Sequence, residues 1–331
     1  MEKILQQCLK GETFTQDSNP VSWDHLAPLL KREGWLWLFY GWARQNPEMG
    51  KKIPDDFLLI LRQNYYTVAS RNALQREGTR RVLRALHTAR IPVLLHKGIF
   101  LMEDLYADIG IRAMTDVDLL VPQEFLGAAE MQLRRLGFRQ EGSGECWSDP
   151  IVLVDLHTDL NNTRRFHRLH PNPDRRIRKM WQQAQPYLFE GIPVLVLSME
   201  DQLIALCFHL AFNHHLQGPL WLADIHRFLK KYKNRIDWEK ISLLAREYEQ
   251  TKSVFYSLKY LKENWQTPVP EDILEKLRPT TQQIMEKWIV RRIWKEKRVG
   301  RLGYFLSLSL IENAALQRRC LWLTFKNLFF K

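Results

Sequence analysis

The sequence predicts an α+β fold, with a small mixed β-sheet core embedded between an N-terminal helical region and a larger C-terminal helical region. Two observations support this prediction. Apolar residues recur at helical spacing before residue 91 and after residue 199, with few breaks. Between these stretches, short apolar runs bounded by turn-forming residues indicate β-strands. We therefore expect three regions, at residues 1–90, 91–198 and 199–331.

The N-terminal region is predicted to contain two long helices, at residues 22–48 and 54–90. In the first, Leu26, Leu29 and Leu30 have the spacing of a buried helix face. The second begins after Pro54 with two aspartates, and both features favour the start of a helix. This region is therefore expected to be all-helical.

The central region is predicted to alternate strands with helices. Gly98 begins one helix, which ends near Tyr106, and Pro122 begins the next. The predicted strands cover residues 91–96, 115–121 and 151–157, with a further edge strand at 192–197. From Met199 onward the pattern is helical almost to the end of the chain.

Composition restricts the possible classes of protein. With 331 residues, 45% hydrophobic and 26% charged, the chain can form a globular protein with a substantial core. Its formal net charge of +12 favours anionic partners such as nucleotides, nucleic acid or an anionic membrane surface. The first residues lack the apolar core of a secretory signal, and no apolar run approaches the roughly 20 residues that span a bilayer.

The cysteines indicate a reducing compartment. Cys8, Cys146, Cys207 and Cys320 are far apart in the sequence and form no CxxC pair. They match neither a zinc site nor a disulfide scaffold, so a cytoplasmic location is expected.

The triplet Asp116-Val117-Asp118 is the most specific chemical feature of the chain. In an extended strand, alternate side chains project to the same face, so the two carboxylates would lie together. Two carboxylates on one face repel each other and are costly to bury unless a cation lies between them. The triplet therefore predicts a site for a hard metal ion such as Mg²⁺, which in turn would carry a nucleoside triphosphate.

Two neighbouring segments extend this site. Asp155 and His157 share a face of the third predicted strand, so pairing of that strand beside the triplet would bring a third carboxylate to the metal. Gly98 lies at a strand-to-helix turn, where backbone N–H groups can approach a phosphate, and Lys97 can neutralise its charge. Asp159 is a reserve candidate for the third carboxylate.

These segments together resemble the uncharacterised bacterial nucleotidyltransferase family of the polymerase-beta-like superfamily. The resemblance covers roughly residues 20–260. It includes Trp23, His209, His214 and the Trp221–Ile225 stretch. It is carried by Ile91-Pro-Val-Leu-Leu-His-Lys-Gly98, Leu105-Tyr106, Gly110-Ile-Arg112, Asp116-Val-Asp-Leu-Leu-Val121, Leu136-Gly-Phe138 and Val154-Asp-Leu-His157. The combination is specific, although each segment alone is not. One difference from the wider superfamily is the loop, which here is Lys97-Gly98 rather than Gly-Ser or Gly-Gly.

The resemblance implies a nucleotidyltransferase that uses Mg²⁺ or Mn²⁺ and a nucleoside triphosphate (NTP). By position, Asp116, Asp118 and Asp155 would be the catalytic residues and metal ligands, and Lys97-Gly98 the phosphate loop. Arg112 is expected to contact the phosphates or to hold the loop, with a surface or helix-capping role as the alternative. His157 is expected to orient Asp155 or to contact the nucleotide, or else to be structural.

The acceptor is not predicted by the sequence: a small molecule, a sugar, a protein or RNA would each be compatible with it. Two alternatives remain open. One is an RNA-directed nucleotidyltransferase, which the positive charge favours. The other is a non-catalytic nucleotide-binding or scaffold protein that retains the fold.

Histidines in the C-terminal region do not have the spacing of a helical metal site. His209 and His214 are five residues apart rather than four, so we expect them, with Asp224, to have structural or substrate-contacting roles. The Trp221–Ile225 stretch is interpreted as packing residues with a carboxylate on the helix surface.

The last 50 residues interleave cations with aromatic residues. Packing of the aromatic residues onto the body of the protein is the first interpretation, peripheral contact with an anionic membrane the second, and RNA binding the third. The cations are Lys287, Arg291, Arg292, Lys295, Lys297, Arg298, Arg301, Arg318, Arg319 and Lys326. The aromatic residues are Trp288, Trp294, Trp322, Phe325, Phe329 and Phe330.

Overall fold

The computed structural model confirms the α+β fold class. It describes residues 3–13, 22–106, 108–142, 145–159, 173–279, 284–296, 300–312, 317–320 and 322. The chain divides into two compact units. The first comprises Met1–Thr158 and Pro186–Val196, and the second comprises Asp159–Gln185 and Leu197–Lys331.

The first unit begins with helices. Their bounds are α1 Lys3–Lys10, α2 Trp23–Glu33, α3 Leu36–Arg44, α4 Pro47–Gly50 and α5 Asp55–Thr88. The single helix predicted at 22–48 is wrong, because Gly34 has a φ of 69° and its backbone N–H caps the end of α2. The helix predicted at 54–90 is confirmed as α5, with Asp55 and Asp56 in its first turn.

The rest of the first unit forms a mixed sheet with two further helices. The bounds are β1 Leu94–Leu95, α6 Gly98–Leu105, β2 Val117–Leu120, α7 Leu126–Arg135, β3 Arg139–Glu141, β4 Cys146–Ser148, β5 Leu153–His157, β6 Gln185–Phe189 and β7 Ile192–Val196. The strand order is β3-β4-β5-β2-β1-β7-β6. Strand β7 therefore lies between β1 and β6, so its prediction as an edge strand is wrong.

Strand pairing places β2 in the interior of the sheet. Strand β2 is parallel to β5 and antiparallel to β1, while β1 is parallel to β7. All four residues of β2 are buried, as expected for a central strand covered on both faces. Strands β3 and β4 were not predicted, because each has only three residues, and β6 was not predicted either.

Helix α5 packs closely against the segment that leads into β5. A Cβ atom built on Gly78, in the middle of α5, would lie 2.0 Å from Cγ2 of Val152. Only glycine allows α5 to lie this close to the Val152 side chain. The contact joins the longest helix of the unit to the strand that carries Asp155 and His157.

Substitution of Gly78 by alanine is expected to lower the free energy of unfolding by about 1–3 kcal/mol, because the added methyl group overpacks the contact with Val152. Urea denaturation measures this change. Gly127→Ala in α7 is the matched control, because a Cβ there meets nothing within 4 Å and alanine favours a helix. Equal stability of the two variants would contradict the predicted packing, whereas Val152→Ala should restore stability to Gly78→Ala.

The second unit is helical throughout its described part. The bounds are α8 Pro173–Gln183, α9 Met199–Phe208, α10 Pro219–Tyr232, α11 Trp238–Glu247, α12 Thr251–Trp265, α13 Glu271–Leu277, α14 Ile284–Glu296 and α15 Gly300–Leu310. Helix α9 is buried along its length and packs against α11 and α12. Ser198 caps its N-terminus by accepting a hydrogen bond from the backbone N–H of Asp201.

A buried ion pair joins two helices of the second unit. Lys252 Nζ of α12 lies 2.6 Å from a carboxylate oxygen of Glu286 in α14, and the Tyr256 hydroxyl donates to the other oxygen at 2.6 Å. Glu286 is only 1% exposed, so both partners are needed to compensate its buried charge. No helix in the described part of the chain is long and apolar enough to cross a membrane.

Candidate active site

Three potential metal ligands converge where β2 and β5 lie side by side. The parallel register pairs Asp118 with Asp155, so the two side chains project to the same face of the sheet. His157, two residues further along β5, shares that face. One ligand atom from each of Asp118, Asp155 and His157 lies within 4.8 Å of the others. These residues are two of the three predicted carboxylates together with the predicted histidine.

Asp116, the remaining predicted ligand, lies just before β2 rather than inside it. Its carboxylate accepts a hydrogen bond from the Thr115 hydroxyl at 2.9 Å. Burial raises the pKa of Asp116, and the negative charges of Asp118 and Asp155 raise it further. Asp116 therefore lies close enough to Asp118 and Asp155 for their charges to act on it, although it is not among the three converging ligands.

Lys97 neutralises the central carboxylate. Its Nζ donates a hydrogen bond to Asp118 Oδ1 at 2.9 Å, and both side chains are largely buried. Burial alone would raise the pKa of Asp118, but Lys97 and His157 hold it well below its usual value. Lys97 has a φ of 52°, which is uncommon for a residue other than glycine. The backbone turns sharply there, between β1 and α6.

His157 lies among three carboxylates. Its Nδ1 is 3.3 Å from a carboxylate oxygen of Glu145, and its Nε2 is 3.4 Å from Asp118 Oδ1 and 3.9 Å from Asp155 Oδ2. The ring is 1% exposed. Burial opposes protonation, but the nearby carboxylates of Asp118 and Glu145 outweigh it and raise the pKa of His157 to about 9.

Two other ionisable groups border the site. His96 is fully buried next to Lys97, and both its burial and the charge of Lys97 hold its pKa well below the usual value. Cys146 pairs with Asp155 across β4 and β5. Burial and the hydrogen bond to Asp155 raise the pKa of the Cys146 thiol to about 12. Both groups are therefore neutral near pH 7.

Gly98 and Arg112 lie next to each other, as the predicted phosphate loop requires. Gly98 begins α6, and a Cβ on Gly98 would lie 3.4 Å from a guanidinium nitrogen of Arg112 and 3.8 Å from the Asp116 carbonyl oxygen. Arg112 is 5% exposed, which contradicts the surface alternative for this residue. The positively charged Arg112 side chain is thus held beside the turn formed by Lys97 and Gly98.

Sequence reasoning missed the residues that hold the loop carrying Arg112. Asn72 Nδ2 donates to the carbonyl oxygens of Ile109 and Arg112 at 2.6 and 2.7 Å, and the backbone N–H of Met114 donates to Asn72 Oδ1 at 3.3 Å. Gln75, one turn later in α5, donates to the Thr115 carbonyl at 2.9 Å. One feature of the sequence could have indicated this role: Asn72 and Gln75 are amide side chains three residues apart on the buried face of a long helix.

Asn72→Ala is expected to lower the free energy of unfolding by about 2–4 kcal/mol, because several buried loop groups would lose their partner. Urea denaturation measures the change. Asn64→Ala in the same helix is the control, since its amide donates only to the Ile60 carbonyl one turn earlier. If the two variants were equally stable, the loop would not depend on Asn72.

Asp159, the reserve third carboxylate, is engaged elsewhere. It belongs to the second unit, where Arg176 Nη2 donates to both of its oxygens at 2.9 and 3.1 Å. Both residues are 6% exposed. This buried ion pair makes Asp159 structural rather than a metal ligand.

The spacing argument about His209 and His214 is wrong. Residues His209–Asn213 form a π-helical turn, in which residues five apart lie on the same face. His209 Nε2 and His214 Nε2 are therefore only 3.1 Å apart, and His214 stacks on Trp221 with ring centroids 3.3 Å apart. Asp224 is 1% exposed, so its prediction as a surface carboxylate is also wrong.

The described part of the basic aromatic segment is only partly packed. Trp294 lies 5.1 Å from Tyr260, centroid to centroid, whereas Trp288 is 51% exposed and lies under the Arg292 guanidinium. The prediction that the aromatic residues pack onto the body holds for Trp294 and not for Trp288. Lys297, Arg298, Phe325, Lys326, Phe329 and Phe330 lie outside the described residues, as do the side chains of Lys295 and Arg301.

Comparison with known proteins identifies a family. A family model described as "Uncharacterised nucleotidyltransferase" matches residues 19–266, which is most of the chain. No curated protein sequence matches significantly. The solution structure of the antibiotic-resistance factor ANT(2'')-Ia is similar with a TM-score of 0.39 and 15% identity, covering 58% of this chain and 98% of the other. Nothing about substrate or mechanism follows from a similarity of this size.

Proposed function

The chain belongs to the family of uncharacterised nucleotidyltransferases, and from this premise we propose that it transfers a nucleotidyl group from an NTP to an acceptor hydroxyl, releasing pyrophosphate. One observation carries the proposal. Asp118, Asp155 and His157 converge on a face of the sheet that also receives Lys97 from the turn before α6. The family match includes every one of these residues.

The converging residues fit a divalent cation. Asp118 and Asp155 supply carboxylate oxygens, and the buried His157 Nε2 makes no hydrogen bond. Ring nitrogens and carboxylates are ordinary ligands for divalent metals in proteins. When bound, a divalent cation would neutralise charge on the triphosphate and stabilise the negative charge that develops during transfer. We propose Mg²⁺ or Mn²⁺ as the cofactor.

Each remaining residue has a role that its surroundings support. Lys97 already balances the charge of Asp118 and is positioned to neutralise phosphate oxygens near the turn. Gly98 begins α6, whose first backbone N–H groups are proposed to bind a phosphate, and Arg112 lies beside it. Asp116, which precedes β2 and is close enough to Asp118 and Asp155 for their charges to act on it, is the candidate general base toward the acceptor hydroxyl.

Pyrophosphate release from a panel of NTPs, with Mg²⁺, Mn²⁺ or EDTA, tests the proposal. Labelled NTPs with pooled small molecules, sugars, proteins and RNA would identify the acceptor. Transfer only to RNA would support the RNA-directed alternative. NTP binding without turnover under any of these conditions would support the non-catalytic alternative and contradict our proposal.

We propose in addition that α14 and the following segment contact an anionic membrane surface peripherally. Trp288 and Trp322 are 51% and 60% exposed, and Lys287 and Arg291 are exposed beside Trp288. Exposed indole rings next to cations are typical of helices that lie at a bilayer surface.

Co-sedimentation with vesicles tests the membrane proposal. Binding to vesicles containing phosphatidylserine, loss of binding in Trp288→Ala/Trp322→Ala, and no binding to neutral vesicles are expected. Leu243→Ala is the control, since Leu243 is 66% exposed on a different helix. Equal sedimentation of the double variant and the wild-type protein would contradict the proposal.

A further inference from the structure

The ligand set of the proposed metal site contains an imidazole, and this affects which metal it favours. Mg²⁺ prefers six oxygen ligands and dehydrates reluctantly. Imidazole nitrogen instead favours first-row transition ions such as Co²⁺ and Zn²⁺. The third potential ligand that converges with Asp118 and Asp155 is His157, not a third carboxylate.

The position of His157 Nε2 suits coordination better than a hydrogen bond. The atom is buried and makes no hydrogen bond in the described structure, although it lies 3.4 Å from Asp118 Oδ1 and 3.9 Å from Asp155 Oδ2. A buried ring nitrogen without a partner is costly. An ion between these three atoms would satisfy the nitrogen and neutralise both carboxylates at once.

Glu145 orients the ring toward the other two ligands. Its carboxylate lies 3.3 Å from His157 Nδ1, on the side of the ring opposite Nε2. A carboxylate on the distal nitrogen fixes the tautomer and the orientation of a metal-binding histidine, and it makes the ligating nitrogen more basic. Glu145 precedes β4, so strand pairing places it near a residue 12 positions later in the sequence.

Lys97 adds to the preference against Mg²⁺. Its Nζ donates a hydrogen bond to Asp118 Oδ1 at 2.9 Å, so an incoming ion must compete with this buried ammonium group for the carboxylate. A transition ion offsets this competition by binding the imidazole nitrogen of His157. Mg²⁺ gains less from such a bond.

We infer that Asp118, Asp155 and His157, with Glu145 as a positioning residue, form a centre that binds first-row transition ions such as Co²⁺ or Zn²⁺ more tightly than Mg²⁺. This inference rests on the proposed function only in assigning the bound ion to nucleotidyl transfer. Binding of the ion itself requires no substrate.

Metal binding to the full-length, EDTA-treated protein tests the inference. Co²⁺ is followed by its visible absorption, and Mg²⁺ and Mn²⁺ by calorimetry and competition. We expect Co²⁺ to bind at least about tenfold more tightly than Mg²⁺. Glu145→Gln should weaken Co²⁺ binding by about 10–100-fold, the usual effect of losing such a carboxylate. His157→Ala should weaken Co²⁺ binding more than Mg²⁺ binding.

Two controls separate this centre from other histidines. His87→Ala removes an exposed histidine from α5 and should change nothing. His209 and His214 offer two ring nitrogens 3.1 Å apart, so the series is repeated in a His214→Ala background. Circular dichroism establishes that each variant is folded, and Glu145→Gln serves as the test if His157→Ala does not fold.

The outcomes distinguish this inference from the proposed function. Equal or tighter binding of Mg²⁺, or Co²⁺ affinity unchanged in folded His157→Ala and Glu145→Gln, overturns the inference even if pyrophosphate is released. Co²⁺ binding that depends on His157, without pyrophosphate release from any NTP, supports the inference and overturns the proposed function.

Discussion

Asp118→Asn is expected to lower nucleotidyl transfer by at least about 10³-fold, which corresponds to several kcal/mol of lost transition-state stabilisation. Asp118 is the central member of the candidate site. It is hydrogen-bonded to Lys97 and adjacent to His157, and it pairs in register with Asp155. The substitution keeps the shape of the side chain and removes its charge, so the ion would lose a ligand. Initial rates of pyrophosphate release measure the effect.

The matched control for this prediction is Asp56→Asn. Asp56 is an exposed aspartate in the first turn of α5, and its loss should leave activity unchanged and cost at most about 1 kcal/mol through the helix dipole. Denaturation curves of both variants show whether folding is retained. An Asp118→Asn variant that is folded and as active as the Asp56→Asn variant would disprove the assignment of Asp118.

Lys97→Met is expected to destabilise the metal-free protein by about 3–5 kcal/mol, because it leaves the buried Asp118 charge without its partner. It should also reduce transfer by about 10²–10³-fold, because a positive group near the developing phosphate charge is lost. The free energy of unfolding is measured in urea with EDTA and again with Mn²⁺. Mn²⁺ should stabilise this variant more than the wild-type protein, because the ion would replace the missing positive charge.

Lys51→Met provides a comparison with the same type of interaction at the surface. Lys51 Nζ lies 2.7 Å from Glu48, but both side chains are well exposed. Breaking this exposed pair should leave the free energy of unfolding nearly unchanged, because water screens it. If Lys97→Met cost no more than Lys51→Met in EDTA, Asp118 would not depend on Lys97 for neutralisation.

The local pattern of the chain was sufficient to predict α5, α6, the β2 and β5 strands and most of the candidate site residues. Each of these features depends on neighbours in sequence. Alternation along β5 places Asp155 and His157 on one face, and Gly98 marks the start of α6. The family match extends over the same segments.

The pattern failed where short segments depend on distant partners. Strand β4 has three residues, and its pairing with β5 decides that Glu145 approaches His157. The π-helical turn at His209 changes which residues share a face, and helical periodicity alone does not reveal such a turn. Asn72 acquires its role only because α5 lies beside the loop that carries Arg112.

The sequence by itself determined that the chain carries closely spaced carboxylates, a Lys-Gly turn before a helix, and the motifs of a nucleotidyltransferase family. These depend on residue type and local spacing. Only the tertiary structure decided that His157 joins Asp118 and Asp155 while Asp116 lies just outside the strand, and that Lys97 neutralises Asp118. The pairing of β2 with β5 and the approach of Lys97 to Asp118 join residues that are far apart in the sequence, so they depend on packing across the sheet.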